Sequence, residues 1–138
     1  MKNCGFYQQA IAFVAWCSKL FESSTKRGAV YDQLDRASTS IRLNVAEGNG
    51  KFSKKDRCRF LDIAMSSALD SAACLDVLIA KNHFKAEDVE DGKKQLLSIV
   101  SMLMGLIATF SDRVREEVVE YGCSTEEIES SSKITSTI

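Results

Sequence analysis

Residues 33–78 read QLDRASTSIRLNVAEGNGKFSKKDRCRFLDIAMSSALDSAACLDVL, and in them two helical periodicities meet across a glycine turn. Upstream of the turn Val30, Leu34, Ala37, Ile41 and Val45 recur every three or four residues, so the spacing predicts a helix over residues 29–47. Gly48, Asn49 and Gly50 are expected to end it, because both residue types tolerate the left-handed backbone that closes many helices. Ser53 followed by Asp56 resembles a capping box with Asp in place of Glu, which starts the next helix and carries it to about residue 81. Its apolar face is Phe60, Leu61, Ala64, Ser67, Ala68, Ser71, Leu75 and Leu78. The small residues at its centre leave room for a neighbouring backbone or for bulky side chains, with Phe and Leu from another helix expected to fill it.

The same periodicity extends outward. Phe6, Ala10, Phe13, Val14, Cys17, Leu20 and Phe21 share one face of a helix over residues 6–21. A fourth helix is expected from residue 86, where Glu87, Asp88, Glu90 and Asp91 suit the positive end of the helix dipole, to about residue 121, with Gly92 weakening its first turns. Proline is absent from the 138 residues, and 45% hydrophobic content suffices for one continuous core. Short connections favour antiparallel neighbours, so the expected fold is all-α, an antiparallel up-down-up-down four-helix bundle over residues 1–122. Residues 123–138 are Ser/Thr-rich with isolated Ile and are expected to form a disordered tail. No apolar run of signal-peptide or membrane-spanning length stands out, so the expected compartment is the cytoplasm, with no membrane partner.

Five cysteines, Cys4, Cys17, Cys58, Cys74 and Cys123, form an odd set without a C-x-x-C pair, which reads as reduced thiols. The single histidine, His83, falls in a turn, whereas a di-metal bundle needs Glu-x-x-His on facing helices. No metal site and no cofactor are expected. No Ser, Cys or Asp pairs with a usable histidine, and Gly48-Asn49-Gly50-Lys51 lacks the frame and preceding strand of a phosphate loop. The expectation is a protein that is not an enzyme.

Ser40, Ile41, Asn44, Val45, Ala46, Glu47, Gly48, Gly50, Phe60, Leu61 and Ala64 form a pattern that resembles the four-helix-bundle family of 23S-rRNA intervening-sequence proteins, densest over residues 33–70. That family is distantly similar to the accessory proteins of diversity-generating retroelements. The resemblance implies a four-helix bundle assembled as a homopentameric ring.

Three surfaces are candidates for function. Gln33, Arg36, Ser40, Asn44 and Glu47 lie within about 80° of one another on the second helix and form a polar seam beside its apolar stripe. The seam either staples that helix to the third or meets a second subunit or ligand, and Glu47, which opposes the helix dipole, calls for a partner such as Arg36 of a neighbour or the N–H groups of the glycine turn. Lys51, Lys54, Lys55, Arg57 and Arg59 place five cations in nine residues, where they oppose the dipole and suit phosphates. Residues 26–59 hold nine Lys/Arg against four Asp/Glu, net +5, while residues 60–138 hold seven against fourteen, net −7. A solvated face, a nucleic acid and an acidic protein patch all fit this turn; five neutralised phosphates on a single strand predict a salt slope of about −3.5. The fourth helix has an apolar arc of roughly 220°, well beyond one core-facing stripe. Trp16, Met102 and Leu106 are therefore expected at an oligomer interface. Two functions follow: an oligomeric accessory or adaptor protein that touches RNA or a nucleic-acid enzyme such as a reverse transcriptase, or a purely protein-binding homo-oligomeric scaffold.

Overall fold

The structure, a computed structural model, describes residues 4–110. It contains α1 (Cys4–Glu22), α2 (Ala29–Asn49), α3 (Lys54–Ala80) and α4 (Ala86–Phe110). The expected extension of α4 to residue 121 and the tail at 123–138 lie outside the described residues. α1 packs on α2, α2 on α3, α3 on α4, and α4 back on α1. This closed cycle of neighbours, with short connections, is the up-down-up-down four-helix bundle. The expected apolar faces turn inward at Phe6, Phe13, Leu34, Ile41, Val45, Leu61, Leu75, Leu78, Leu96, Ile99 and Leu103, all at most 2% exposed, whereas Val14 and Phe60, expected on the same faces, are only half-buried, Phe60 with cations on its ring.

α2 and α3 make the most extensive contact in the bundle. The small centre of α3 serves that approach: Ala64 and Ala68 are buried, and Ser67 Oγ donates to Ser40 Oγ at 2.9 Å across the gap. Ser71 Oγ returns its proton to the Ser67 carbonyl of its own helix, so the buried hydroxyl is satisfied.

The helix ends correct one expectation. α2 does not stop in a left-handed residue at 48–50: it runs through Asn49, and Gly50 keeps a right-handed backbone (φ −82°, ψ −5°). The left-handed closure sits instead at Asn82 (φ 60°) after α3, where Asn82 N–H donates to the Ile79 carbonyl and His83 N–H to the Leu78 carbonyl. His83 then stacks on Tyr31 with ring centres 5.8 Å apart and shares a 3.0 Å hydrogen bond between Nδ1 and the Tyr31 hydroxyl. Partial burial, then Lys26 and Lys81, hold its pKa below the usual imidazole value. Ser53 caps α3 as expected, accepting from Asp56 N–H at 3.0 Å.

α3 and α4 are each long and apolar enough, by length and composition, to cross a membrane, which corrects the reading that no such run exists. The core helices of a bundle meet the same criterion, and both turn their most apolar stripe to the other helices. Cys17, Cys58 and Cys74 are free thiols, and burial pushes the Cys17 thiol up to about 12, disfavouring its thiolate form.

Candidate nucleic-acid interface

The α2–α3 turn is built from both sides. Gly48 is buried in the last turn of α2, and a Cβ there would lie 3.2 Å from Phe60 Cβ and 3.4 Å from the Arg57 carbonyl oxygen. The bare backbone thus lets the start of α3 lie directly against α2. Arg57 fixes the turn from the other side. Its Nε donates to the Lys51 carbonyl at 2.7 Å, and its guanidinium carbon sits 5.3 Å from the centre of the Phe110 ring at the end of α4.

Two further cations flank one ring. Lys51 Nζ lies 5.2 Å and Arg59 Cζ 4.9 Å from the centre of the Phe60 ring, while the same groups approach Glu47 at 3.9 Å and Asp56 at 4.0 Å. Exposed contacts of these kinds stabilise by about 1 kcal/mol or less, so the two cations remain free to exchange partners. Lys54 and Lys55 are exposed in the first turn of α3. The five expected cations therefore divide: Arg57 is tied into the fold, and Lys51, Lys54, Lys55 and Arg59 present charge to solvent.

Phe52, not among the candidates from sequence, stands fully exposed at the tip of the turn beside these lysines. Its signal was a large apolar residue in a turn, matching neither helical face. An aromatic ring set among cations offers both elements that hold a single-stranded nucleic acid, a stacking plane and phosphate contacts.

The polar seam divides into three local groups. Arg36 donates to Gln33 Oε1 at 3.1 Å on the exposed side. Asn44 Nδ2 donates to the Ser40 carbonyl at 2.9 Å and to Ser40 Oγ at 2.8 Å, and Ser67 of α3 joins the same hydroxyl. Glu47 faces Lys51. The middle group does staple α2 to α3. Arg36 and Glu47, separated by about 16 Å of helix, do not meet within the chain.

Trp16, Met102 and Leu106 are partly buried against the chain's own core. Trp16 stacks on Phe13 (ring centres 5.9 Å apart, planes at 15°) and lies directly over Gly92 of α4. Its position off the main α1 face therefore has an intrachain cause. The large apolar residues left on the outside are Ile11, Leu43, Phe52, Ile63, Val77 and Leu97. Among the described residues no group of three or more His, Cys, Asp or Glu could hold a metal ion.

A family model described as 23S rRNA-intervening sequence protein matches residues 2–105. No curated protein matches the chain. Among solved structures, a crystal structure of a protein of unknown function from the S23 ribosomal protein family of Bacteroides thetaiotaomicron VPI-5482 superposes with a TM-score of 0.69 at 23% identity, covering 74% of this chain and 97% of that one. At this identity the likeness is one of fold.

Proposed function

Because the chain belongs to the family of 23S rRNA-intervening sequence proteins, we propose that it is a non-catalytic, self-associating accessory protein that holds RNA, or a nucleic-acid enzyme working on RNA, at its α2–α3 turn. The observation that carries this reading is the exposed Phe52 among Lys51, Lys54, Lys55 and Arg59. Cations at a helix N-terminus oppose the dipole by about 0.3–1 kcal/mol each, so they do not serve α3 itself. The distant similarity of the intervening-sequence family to retroelement accessory proteins, which the resemblance over residues 33–70 implies, is in keeping with the same class of partner.

Binding of single-stranded RNA is expected to weaken with salt with a log–log slope of about −2.8, four phosphates rather than five, since Arg57 is engaged elsewhere. Phe52→Ala should weaken it by about 5- to 150-fold, the equivalent of one lost base stack, and should leave duplex RNA unaffected. Changing Lys51, Lys54 and Lys55 together to Glu should abolish both. If the wild type shows no salt-sensitive binding at low salt, or the triple variant binds as well, the protein-binding scaffold replaces this reading.

Self-association rests on the exposed Ile11, Leu43, Ile63, Val77 and Leu97, and on the ring implied by the family resemblance. Light scattering at micromolar concentration is expected to give about five times the 15.3 kDa chain mass. Leu43→Lys and Ile63→Lys should lower that mass without loss of helicity. A wild-type monomer would return these residues to ordinary surface.

A further inference from the structure

The pole opposite the basic turn carries a second group of cations, assembled by two connections far apart in sequence. His83, the single histidine of the chain, stacks on Tyr31 of α2, and its Nδ1 shares a hydrogen bond with the Tyr31 hydroxyl. Ser24 Oγ stands 3.4 Å from the same hydroxyl and accepts from the Lys26 N–H at 3.1 Å. These contacts draw the α1–α2 connection, with Lys26, to the imidazole that follows Lys81 at the end of α3. The charged groups acting on the ring are Lys26 and Lys81; with desolvation, they disfavour its protonated form. Lys51, Lys93 and Lys94 each face a carboxylate, but neither Lys26 nor Lys81 forms an ion pair among the described residues.

We propose that Lys26, Lys81 and Nε2 of His83 together bind a phosphate group, either the free ion or a monoester. Both ammonium groups are exposed and the imidazole is half-buried, so an anion reaches all three from solvent. Tyr31 holds the ring through Nδ1 and leaves Nε2 as the nitrogen for a ligand. The neutral ring, accepting from Tyr31 at Nδ1, carries its proton on Nε2 and donates it to a phosphate oxygen. The charged ring donates at Nε2 as well, while its Nδ1–H turns to the Tyr31 oxygen and frees the Tyr31 hydroxyl to donate to Ser24. The charged form therefore binds phosphate more tightly, and bound phosphate in return raises the affinity of His83 for its proton. The 21 residues of α2 separate this site by about 30 Å from the basic turn, so it stands independently of the RNA reading.

With one histidine in the chain, the imidazole Hε1 resonance of the full-length protein titrates for this site alone. Ionic strength is held at about 0.1 M, where the screening length of about 10 Å keeps phosphate at the basic turn from being felt here. Replacing chloride by inorganic phosphate is expected to raise the His83 pKa saturably by at least about half a unit. That shift means about threefold tighter phosphate binding by the protonated form. Changing Lys26→Gln and Lys81→Gln together, both at exposed positions, should raise the pKa in chloride and abolish the response to phosphate. Uridine 5′-monophosphate is run beside inorganic phosphate, and whichever acts at the lower concentration identifies the source, a phosphorylated end or the free ion. No shift with either, a shift that does not saturate, or an equal shift in the double-lysine variant would overturn the proposal. Failure of RNA binding at the basic turn leaves this titration unchanged, so the two readings fall separately.

Discussion

Gly92→Ala is expected to destabilise the bundle by about 2 kcal/mol, even though alanine is intrinsically the better helix former by about 1 kcal/mol. A methyl group at Gly92 would fall within the space of Cζ3 and Cη2 of Trp16, closer than any real Cβ approaches a neighbour. The half-buried indole is held on one face. It is stacked on Phe13, which is itself fully buried, so displacing the ring disturbs the α1–α4 contact. Trp16→Leu should therefore rescue Gly92→Ala in a double-mutant cycle, because the shorter side chain vacates the space the methyl needs. Guanidinium unfolding at one fixed protein concentration measures both, since any self-association shifts apparent stability by mass action. A Gly92→Ala protein more stable than the wild type would show that the ring does not occupy this place, and would return Trp16 to the outer surface.

Arg57→Ala is expected to lower stability by about 1.5–3 kcal/mol, the range for a hydrogen bond made by a charged group. The loss should leave RNA binding per folded molecule with an unchanged salt slope of about −2.8. These two readouts separate a clasp from a phosphate contact. Were Arg57 a phosphate ligand, the slope would shallow by about 0.7 and stability would barely change. Arg57→Lys should not restore the clasp, because an ammonium cannot donate from the Nε position while keeping a flat cation over the Phe110 ring. Lys54→Ala gives the opposite pattern, with an altered slope and near-wild-type stability, since Lys54 is exposed.

The helices and their inward faces were legible because apolar spacing at three and four residues fixes which stripe is buried, and Ser53 with Asp56 fixes where α3 begins. The uses of the glycines were not. Gly48 looked like a helix terminator and Gly92 like a weak point, yet each is a gap in a helix surface that a partner fills, Phe60 in one case and Trp16 in the other. A wheel shows which way a residue faces but not what stands opposite, and Trp16 and Gly92 are brought together only by the closure of α1 on α4. The same limit applies to the basic turn. Composition marked five cations as equivalent, whereas the bond from Arg57 to the Lys51 carbonyl makes one of them structural, and Phe52 gains its meaning only from standing clear of every helix. The seam reads likewise: the hydroxyls of Ser40 and Ser67 meet, and Arg36 and Glu47, which share a wheel sector, are too far apart along the axis to do so.

The antiparallel order puts the start of α1, the end of α2, the start of α3 and the end of α4 at one pole, as the hydrogen bond from Asn49 to the Tyr7 hydroxyl and the packing of Arg57 on Phe110 both mark. Any fusion partner, purification tag or surface tether attached near either end of the bundle is therefore delivered to the neighbourhood of the basic turn. A polyhistidine or acidic epitope tag there acts as an unintended competitor or crowding agent, and immobilisation by either end turns the turn toward the support. Probes are better carried at the opposite pole, in the connections at residues 23–28 and 81–85. A circular permutant opened in the first of these, with the present ends joined, would place its new termini far from the turn and leave that surface clear.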